Sequence, residues 1–431
     1  MPQPARMSNE SRSADVIEPL DAAYFEAALD RLPIEALNVA QPELFAAGLA
    51  PQYLARLRHE APVHYCAESR FGPYWSITRH ADIEAIELNT EVFSSAHANG
   101  GITIGSSADD PQFLPAFLSM DPPNHAAQRK VVAPAFAPER LSAMTPRLRA
   151  WAAEILDGLP RGSWFDWTDR VSIEFSARTL ALLLGFPQAR SRDLIHWSDT
   201  MVALPGHPAF VSLDHKLRVM HECFGTFDAI RAERRAASEG DDLISLLARG
   251  AETRDMPKEE FYGNILLLIV GGNDTTRNSI SGSILAMHRF PESWRKLQAD
   301  RDLLASLTPE LLRWQSPIAH MRRTAMCDAT IGGRTIRRGD KVVLWYLSAN
   351  RDEALFEGAD DFVLDRQNAR RHLAFGFGIH RCIGARLADL QIRTLWEAIL
   401  ERGLSFEVEA EPLRIPSTFI NGYQRVLVRL S

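Results

Sequence analysis

Cysteine is scarce in this 431-residue chain: four residues, at positions 66, 223, 327 and 382. The closest pair is 55 residues apart, so there is no CxxC metal or redox motif. Long hydrophobic runs are also missing. The longest, Ile265 to Val270, falls far short of the ~18 apolar residues a membrane span needs. The N-terminal stretch MPQPARMSNESRSAD has no apolar h-region, which excludes a signal peptide. Together these absences predict a cytoplasmic protein with reduced thiols. Positive charge is not in excess: 48 Lys and Arg face 55 Asp and Glu, a formal net charge of −7, which argues against a nucleic-acid partner. No internal repeat and no fused flavin- or nucleotide-binding fingerprint is present. The remainder, 46% apolar and 24% charged, is ordinary globular composition. A chain this long buries roughly three quarters of its unfolded surface, enough to enclose a cofactor.

Patterning predicts mostly helix. Residues 1–20 are polar and aperiodic and read as a mobile tail. Residues 43–60 read as one helix, and PVHYC and YWSIT as two strands split by Gly72-Pro73. The stretch 94–119 is Gly- and Ser-rich and reads as a long functional loop. Between about 120 and 315 apolar residues recur every three or four positions, interrupted at Leu204-Pro205-Gly206-His207-Pro208. Residues 325–347 read as a hairpin, with turns at Gly332-Gly333 and Gly339-Asp340. A helix after Cys382 and a short β tail complete a mainly α fold with a minor β part.

Cys382 stands apart from the other three cysteines, which read as small buried hydrophobes. It lies in HLAFGFGIHRCIGARLADL, where Gly376, Gly378 and Gly384 surround it and an amphipathic helix follows. Glycines permit tight turns and close approach of backbone to a ligand. Unpaired N–H groups at a helix start favour a thiolate and bond the sulfur. An axial thiolate on haem iron requires these conditions. Upstream, a helix over 257–289 opens with Pro257, Glu259 and Glu260 and contains Gly271-Gly272-Asn273-Asp274-Thr275-Thr276. Two glycines and a threonine able to bond back to the carbonyl four residues earlier weaken a helix, and local opening there leaves a groove. An acid beside an alcohol in such a groove can relay protons.

The segment Phe375-Gly376-x-Gly378-x-His380-x-Cys382-x-Gly384 resembles the haem-binding loop of cytochrome P-450, the haem-thiolate monooxygenases. Matching motifs occur upstream in the family's order, over residues 45–431. The resemblance implies one catalytic domain over 21–431, with haem b held between the oxygen-activation helix and the cysteine-loop helix. It makes Cys382 the axial ligand and Asp274 and Thr275 the acid–alcohol pair, delivering protons so that the O–O bond of dioxygen breaks heterolytically. It places Gly271, Phe375 and Gly376 against the haem, and His125, Arg129, Arg323 and His380 at its propionates. Of three Glu-x-x-Arg patterns (Glu292/Arg295, Glu310/Arg313, Glu411/Arg414), only Glu310/Arg313 sits between the two helices. With Arg366 it matches the family's structural triad.

Family position assigns the substrate pocket to Phe113, Leu114, Phe117, Met201, Val202, Leu204, Leu268, Ile318, Met321, Phe419 and Ile420. Such a pocket suits an apolar substrate. GGITIG, FLPAFLSMDPPNHAAQRK and GGNDTTRNS resemble the bacterial subfamily that hydroxylates the terminal carbon of alkanes and fatty acids. No carboxylate clamp is evident in the segments assigned to this pocket. The resemblance implies electrons from a separate ferredoxin and ferredoxin reductase, and Lys130, Arg370, Arg371, Arg381 and Arg386 form a candidate positive docking face. The alternatives are a hydroxylase of terpenes or other small lipids, a peroxide-driven enzyme, a haem gas sensor, and a cysteine hydrolase. The Asp274-Thr275 pair argues against the peroxide-driven enzyme, and no base beyond His380 supports the hydrolase.

Overall fold

Two short stretches of alternating burial, β1 (Val63–Cys66) and β2 (Tyr74–Ile77), pair antiparallel across a turn in which Gly72 takes φ +74°. They form one edge of a five-stranded sheet with β3 (Phe93–Ser94), β4 (Met321–Ala325) and β5 (Lys341–Leu344), in the order β1-β2-β5-β4-β3. β5 runs parallel to β2 and antiparallel to β4, so Thr324 faces Lys341 and Arg323 faces Val342. The computed structural model describes residues 22–110, 113–203 and 209–431. The expected tail 1–20 and the corner at 204–208 lie outside the described residues.

The helices that build the site are α1 (His80–Leu88), α2 (Asn124–Val132), α3 (Ser191–Val202), α4 (Lys258–Arg289), α5 (Leu304–Gln315) and α6 (Ala385–Glu401). At 1.5 Å per residue, the 32-residue α4 is about 48 Å long. It carries Glu259 and Glu260 in its first turn and His288 and Arg289 in its last, the charge order its dipole favours. Its C-terminal half is buried among α5 and α6 in the main apolar core, which includes Ile280, Ile284, Leu311, Leu395 and Ile399. Each such side chain contributes about 1.5–3 kcal/mol on full burial. The mainly α architecture with a minor β part is the one the sequence predicts.

Two expectations about elements need correction. Residues 43–60 are two helices, Pro42–Ala46 and Ala50–Glu60, because Gly48 adopts φ +74° between them. The hairpin expected over 325–347 is confined to Ala329–Ile331 and Arg334–Ile336, while β5 leaves it to join the large sheet. α5 begins at Leu304, so Pro309 lies inside it. Proline lacks the N–H that would bond Ala305 O, and Arg370 Nη2 donates to that carbonyl instead, at 3.1 Å.

Beneath α6 lies a charge network built on the fully buried Glu310 and Arg313, with Arg366 at its outer edge. Arg313 donates through Nε and Nη2 to the two oxygens of Glu310, both at 2.8 Å, and Arg366 Nε reaches the same oxygens at 3.1 Å. The remaining Arg313 donors meet the carbonyls of Asn350, Ala359 and Asp361. Val363 N–H fills a further acceptor position on Glu310. The network thus ties α5 to the 350–366 segment that leads into the cysteine loop. The Glu292–Arg295 pair is exposed, and Glu411 lies outside any helix. Glu310→Ala should cost about 3–5 kcal/mol in denaturant unfolding because it strands two buried guanidinium groups. Glu292→Ala, removing an exposed pair, should change stability by less than about 1 kcal/mol.

Candidate active site

The cysteine loop owes its shape to two backbone conformations that favour glycine. Gly376 and Gly378 take φ +67° and +62°, and a Cβ on Gly378 would fall 2.8 Å from Glu87 O. Cys382 N–H donates to Phe375 O at 2.7 Å, closing the loop on itself. The Gly384 backbone N–H, at the start of α6, favours the thiolate form of the sulfur. Burial raises the thiol pKa, while that N–H, Arg129 and Arg381 lower it. Cys382 is enclosed by protein yet remains accessible, as a residue lining an internal cleft would be.

On the facing helix, Gly271 is exposed although it lies midway along α4, and a Cβ there would meet nothing within 4 Å. Thr275 Oγ1 donates back to Gly271 O at 2.7 Å. Asn278 and Ser279 bond the carbonyls of Asp274 and Thr275 in the same way, at 2.7 and 2.8 Å. These bonds do not break the helix: α4 is continuous, so the expected local opening is absent. The open space comes from the missing side chain of Gly271.

Asp274 is fully buried. Its Oδ1 accepts from Asn273 Nδ2 at 2.9 Å and Ser198 Oγ at 3.2 Å, and pairs with Arg277 at 3.2 Å. Its Oδ2 has no partner. Burial pushes the carboxyl up to about 6 against the opposing effect of Arg277. Arg277 in turn reaches Asp199 Oδ1 on α3 at 2.6 Å, and the Asp199 side chain is 31% exposed. A chain of charged groups thus links the buried acid to the surface.

His125 and His380 lie ring to ring at 4.3 Å. His380 Nε2 bonds Ser95 Oγ at 2.8 Å, whereas His380 Nδ1 and His125 Nε2 are buried and unpartnered. Arg129 Nη2 donates to Arg381 O at 2.5 Å. Arg323 is paired through Nη2 with Glu87 Oε1 at 3.0 Å. Glu87 also takes short bonds from Tyr346 Oη and Phe377 N. Sequence reading missed Glu87, Ser95, Ser198, Asp199 and Arg277. Nothing local marks Glu87, Ser95, Ser198 or Asp199, because each acquires its role from a partner distant in the chain; Arg277 carried a local signal, its i, i+3 spacing from Asp274. Phe375 packs at the edge of the main core beside His372.

The residues assigned to the substrate pocket fall into groups. Phe117, Met201 and Leu268 belong to the main apolar core or pack against it. Ile318 and Met321 pack against the core of the sheet, and Ile318 bridges Ile420 across their backbones. Phe419 O accepts from Ala319 N, and Phe113 stacks flat on His97. Leu114 O lies against Gly263 of α4, where a side chain would collide with it. Val202 is half-buried at the end of α3, and Leu204 lies outside the described residues.

A flat, anionic macrocycle fits this site. The helix opposite the sulfur has a bare glycine, unpartnered imidazole nitrogens and guanidinium groups stand at the margin, and a backbone N–H at the start of α6 favours the thiolate. Among the described residues, no three His, Cys, Asp or Glu side chains converge to hold a metal ion without such a ring. The fold and site together define a haem-thiolate protein. The sequence profile of cytochrome P450 matches residues 207–428, and the chain belongs to that family. It is 37% identical over 406 residues to linalool 8-monooxygenase of Pseudomonas putida, covering 92% of this chain and 99% of the relative. It is 30% identical over 391 residues to the methyl-branched lipid omega-hydroxylase of Mycobacterium bovis, covering 88% and 90%. The structure of cytochrome P450-153 from Novosphingobium aromaticivorans superposes with a TM-score of 0.85 at 41% identity, covering 91% of this chain and 99% of that one. The chain is therefore a P450 monooxygenase, of a family that carries haem b on a cysteine thiolate and takes electrons from redox partners and oxygen from dioxygen. Among the described residues, no helix is long and apolar enough to cross a membrane.

The raised pKa of Asp274 has a signed consequence. The folded chain binds this proton more tightly than the unfolded chain between about pH 4 and pH 6. The carboxyl's contribution to stability therefore falls as pH rises through that window. Asp274→Asn should remove this part of the pH dependence, as measured by denaturant unfolding at pH 4.5 and 6.5.

Proposed function

We propose that this P450 hydroxylates the terminal carbon of an apolar aliphatic chain, a medium-chain alkane or fatty acid. Cys382 is the axial ligand, and His125, Arg129, Arg323 and His380 hold the haem margin. When bound, haem b supplies reductive activation of dioxygen and insertion of one oxygen atom into a C–H bond. This chain's residues supply protons and position. Asp274 takes up and releases its proton at about pH 6, beside Thr275, and Arg277 and Asp199 connect it to solvent. That buried acid with a charged path to the surface is the observation that carries the oxygen-activating reading, since a gas carrier needs no proton supply. Ser95 orients His380, and Glu87 orients Arg323.

Terminal selectivity is supported by the omega-hydroxylase relative and by the apolar character of Phe117, Leu268, Ile318 and Ile420. A methyl group is harder to attack than an internal methylene, so the walls must place it. The linalool relative favours a second reading, in which the substrate is a terpene. Electrons come from a separate ferredoxin. Lys130, Arg370, Arg371, Arg381 and Arg386 are all exposed, and among the described residues none is paired with a carboxylate, which leaves their charge free for an acidic partner.

Octane, octanoate and a monoterpene should be turned over with a surrogate ferredoxin and reductase, and the products identified. Terminal alcohols from the linear substrates are expected; exclusively internal alcohols would reject terminal selectivity, and preferential turnover of the monoterpene would favour the second reading. Thr275→Ala and Asp274→Asn should slow coupled turnover about 100-fold, the scale of general acid catalysis, with haem content unchanged. Reduced wild type under carbon monoxide should show a thiolate-type Soret band that Cys382→Ser lacks. Lys130→Glu with Arg386→Glu should raise KM for ferredoxin about tenfold at low salt, and the difference should shrink as salt screens it.

A further inference from the structure

Strand β4 places two adjacent arginines on opposite faces of the sheet. Arg323 faces Glu87 and Tyr346, whereas Arg322 faces the loop 97–109 together with Lys341, the cross-strand partner of Thr324 two residues along the same face. Between that loop and the sheet is a cavity of about 630 Å³, lined among others by Phe71, Gly100, Ser106, Arg322, Thr324 and Lys341. Its volume is that of a small-molecule site.

The two cations here have only neutral partners. Arg322 is 6% exposed, donates from Nη1 to Ser106 O at 2.6 Å and weakly from Nη2 to Thr324 Oγ1 at 3.4 Å, and leaves Nε without a partner. Lys341 Nζ donates to the carbonyls of Phe71 at 2.5 Å and Ile104 at 3.1 Å. Among the described residues no carboxylate pairs with either. Arg70 at the rim is already paired with Glu43 at 3.1 Å. Asp109, also at the rim, is exposed and pairs with neither cation. Burial lowers the guanidinium pKa to about 10; burial and the neighbouring arginine lower the ammonium to about 8. Gly100, at φ +109°, brings the loop backbone so close that a Cβ would overlap the Arg322 guanidinium. Two like charges, one buried and one half-buried, brought together without a counter-ion are costly. The haem site does not use them, and neither does the proposed reaction.

We propose that this cavity is a carboxylate-binding site, with Arg322 and Lys341 as its two charged contacts. Arg322, which lines the cavity with Nη2 only weakly bonded, supplies a charge-assisted donor for a carboxylate, and Lys341 supplies a second point charge. The carboxylate is either the head group of a medium-chain acid or a free small acid.

Calorimetric titration of the haem-loaded protein with octanoate, octan-1-ol, acetate and inorganic phosphate tests this. Octanoate should bind at least tenfold more tightly than octan-1-ol. Arg322→Gln and Lys341→Gln should each remove that tenfold difference and leave octan-1-ol affinity unchanged. Arg322→Lys should retain part of it, and an unchanged unfolding midpoint in the half-buried Lys341→Gln variant separates binding from folding. Octanoate binding accompanied by a shift in the haem absorption band identifies the head group of a chain bound at the haem. Acetate and octanoate binding with no shift identifies a free acid. Equal affinity for octanoate and octan-1-ol, equal octanoate affinity in wild type and both Gln variants, or tighter binding of phosphate than octanoate overturns the proposal. The regiochemistry of octane oxidation is independent of all these outcomes, so the proposed reaction stands or falls separately.

Discussion

The loop that presents Cys382 keeps its shape because distant segments hold it from several sides. Glu87 on α1 accepts from Phe377 N, and its other oxygen meets Arg323 and Tyr346. Ser95 holds His380, Arg129 holds Arg381 O, and Asn350 Oδ1 accepts from Leu373 N at 2.6 Å. Without these ties two glycines at positive φ would make the loop a mobile connection, and the sulfur would have no fixed direction. With them, a thiol sits at the start of α6 facing a bare patch on α4, and a planar ligand can lie between.

The two helices that face each other are stabilised by different means. α6 and α5 rest on apolar burial and on a charge network whose donors and acceptors are nearly all satisfied. Such a network contributes less to stability than to fixing one arrangement, because its members cost most when one is removed. The middle of α4 is polar and incompletely satisfied: Asp274 Oδ2 and Arg277 Nε have no partner. Buried polar groups left open in this way belong where protons or ligands come and go, and they sit beside the exposed Gly271.

The cations of this chain divide by their surroundings. Arg313 and Arg366 are buried against a carboxylate and hold the fold. Lys130, Arg381 and Arg386 are in water and are free to meet a partner. Arg322 and Lys341 belong to neither class, being buried and half-buried with only carbonyl and hydroxyl partners. Arg322 and Arg323 are consecutive yet lie on opposite faces, because successive side chains on a strand point oppositely.

Much of this was legible in the sequence. The glycine-flanked cysteine, the helix that follows it, the acid–alcohol pair and the order of the motifs all depend on local conformation and spacing, which a linear reading carries. The pairing of Glu310 with Arg313 follows from an i, i+3 spacing on one helix. Helix ends were less legible, since Gly48 splits one predicted helix and Pro309 is tolerated inside another. The packed structure alone decided which charges meet. Arg277 finds Asp199 across 78 residues, Arg323 finds Glu87 across 236, and Arg322 and Lys341 share a cavity only because β4 and β5 are neighbours in the sheet. Local spacing carries no information about such contacts, because their energy depends on burial and distance in three dimensions.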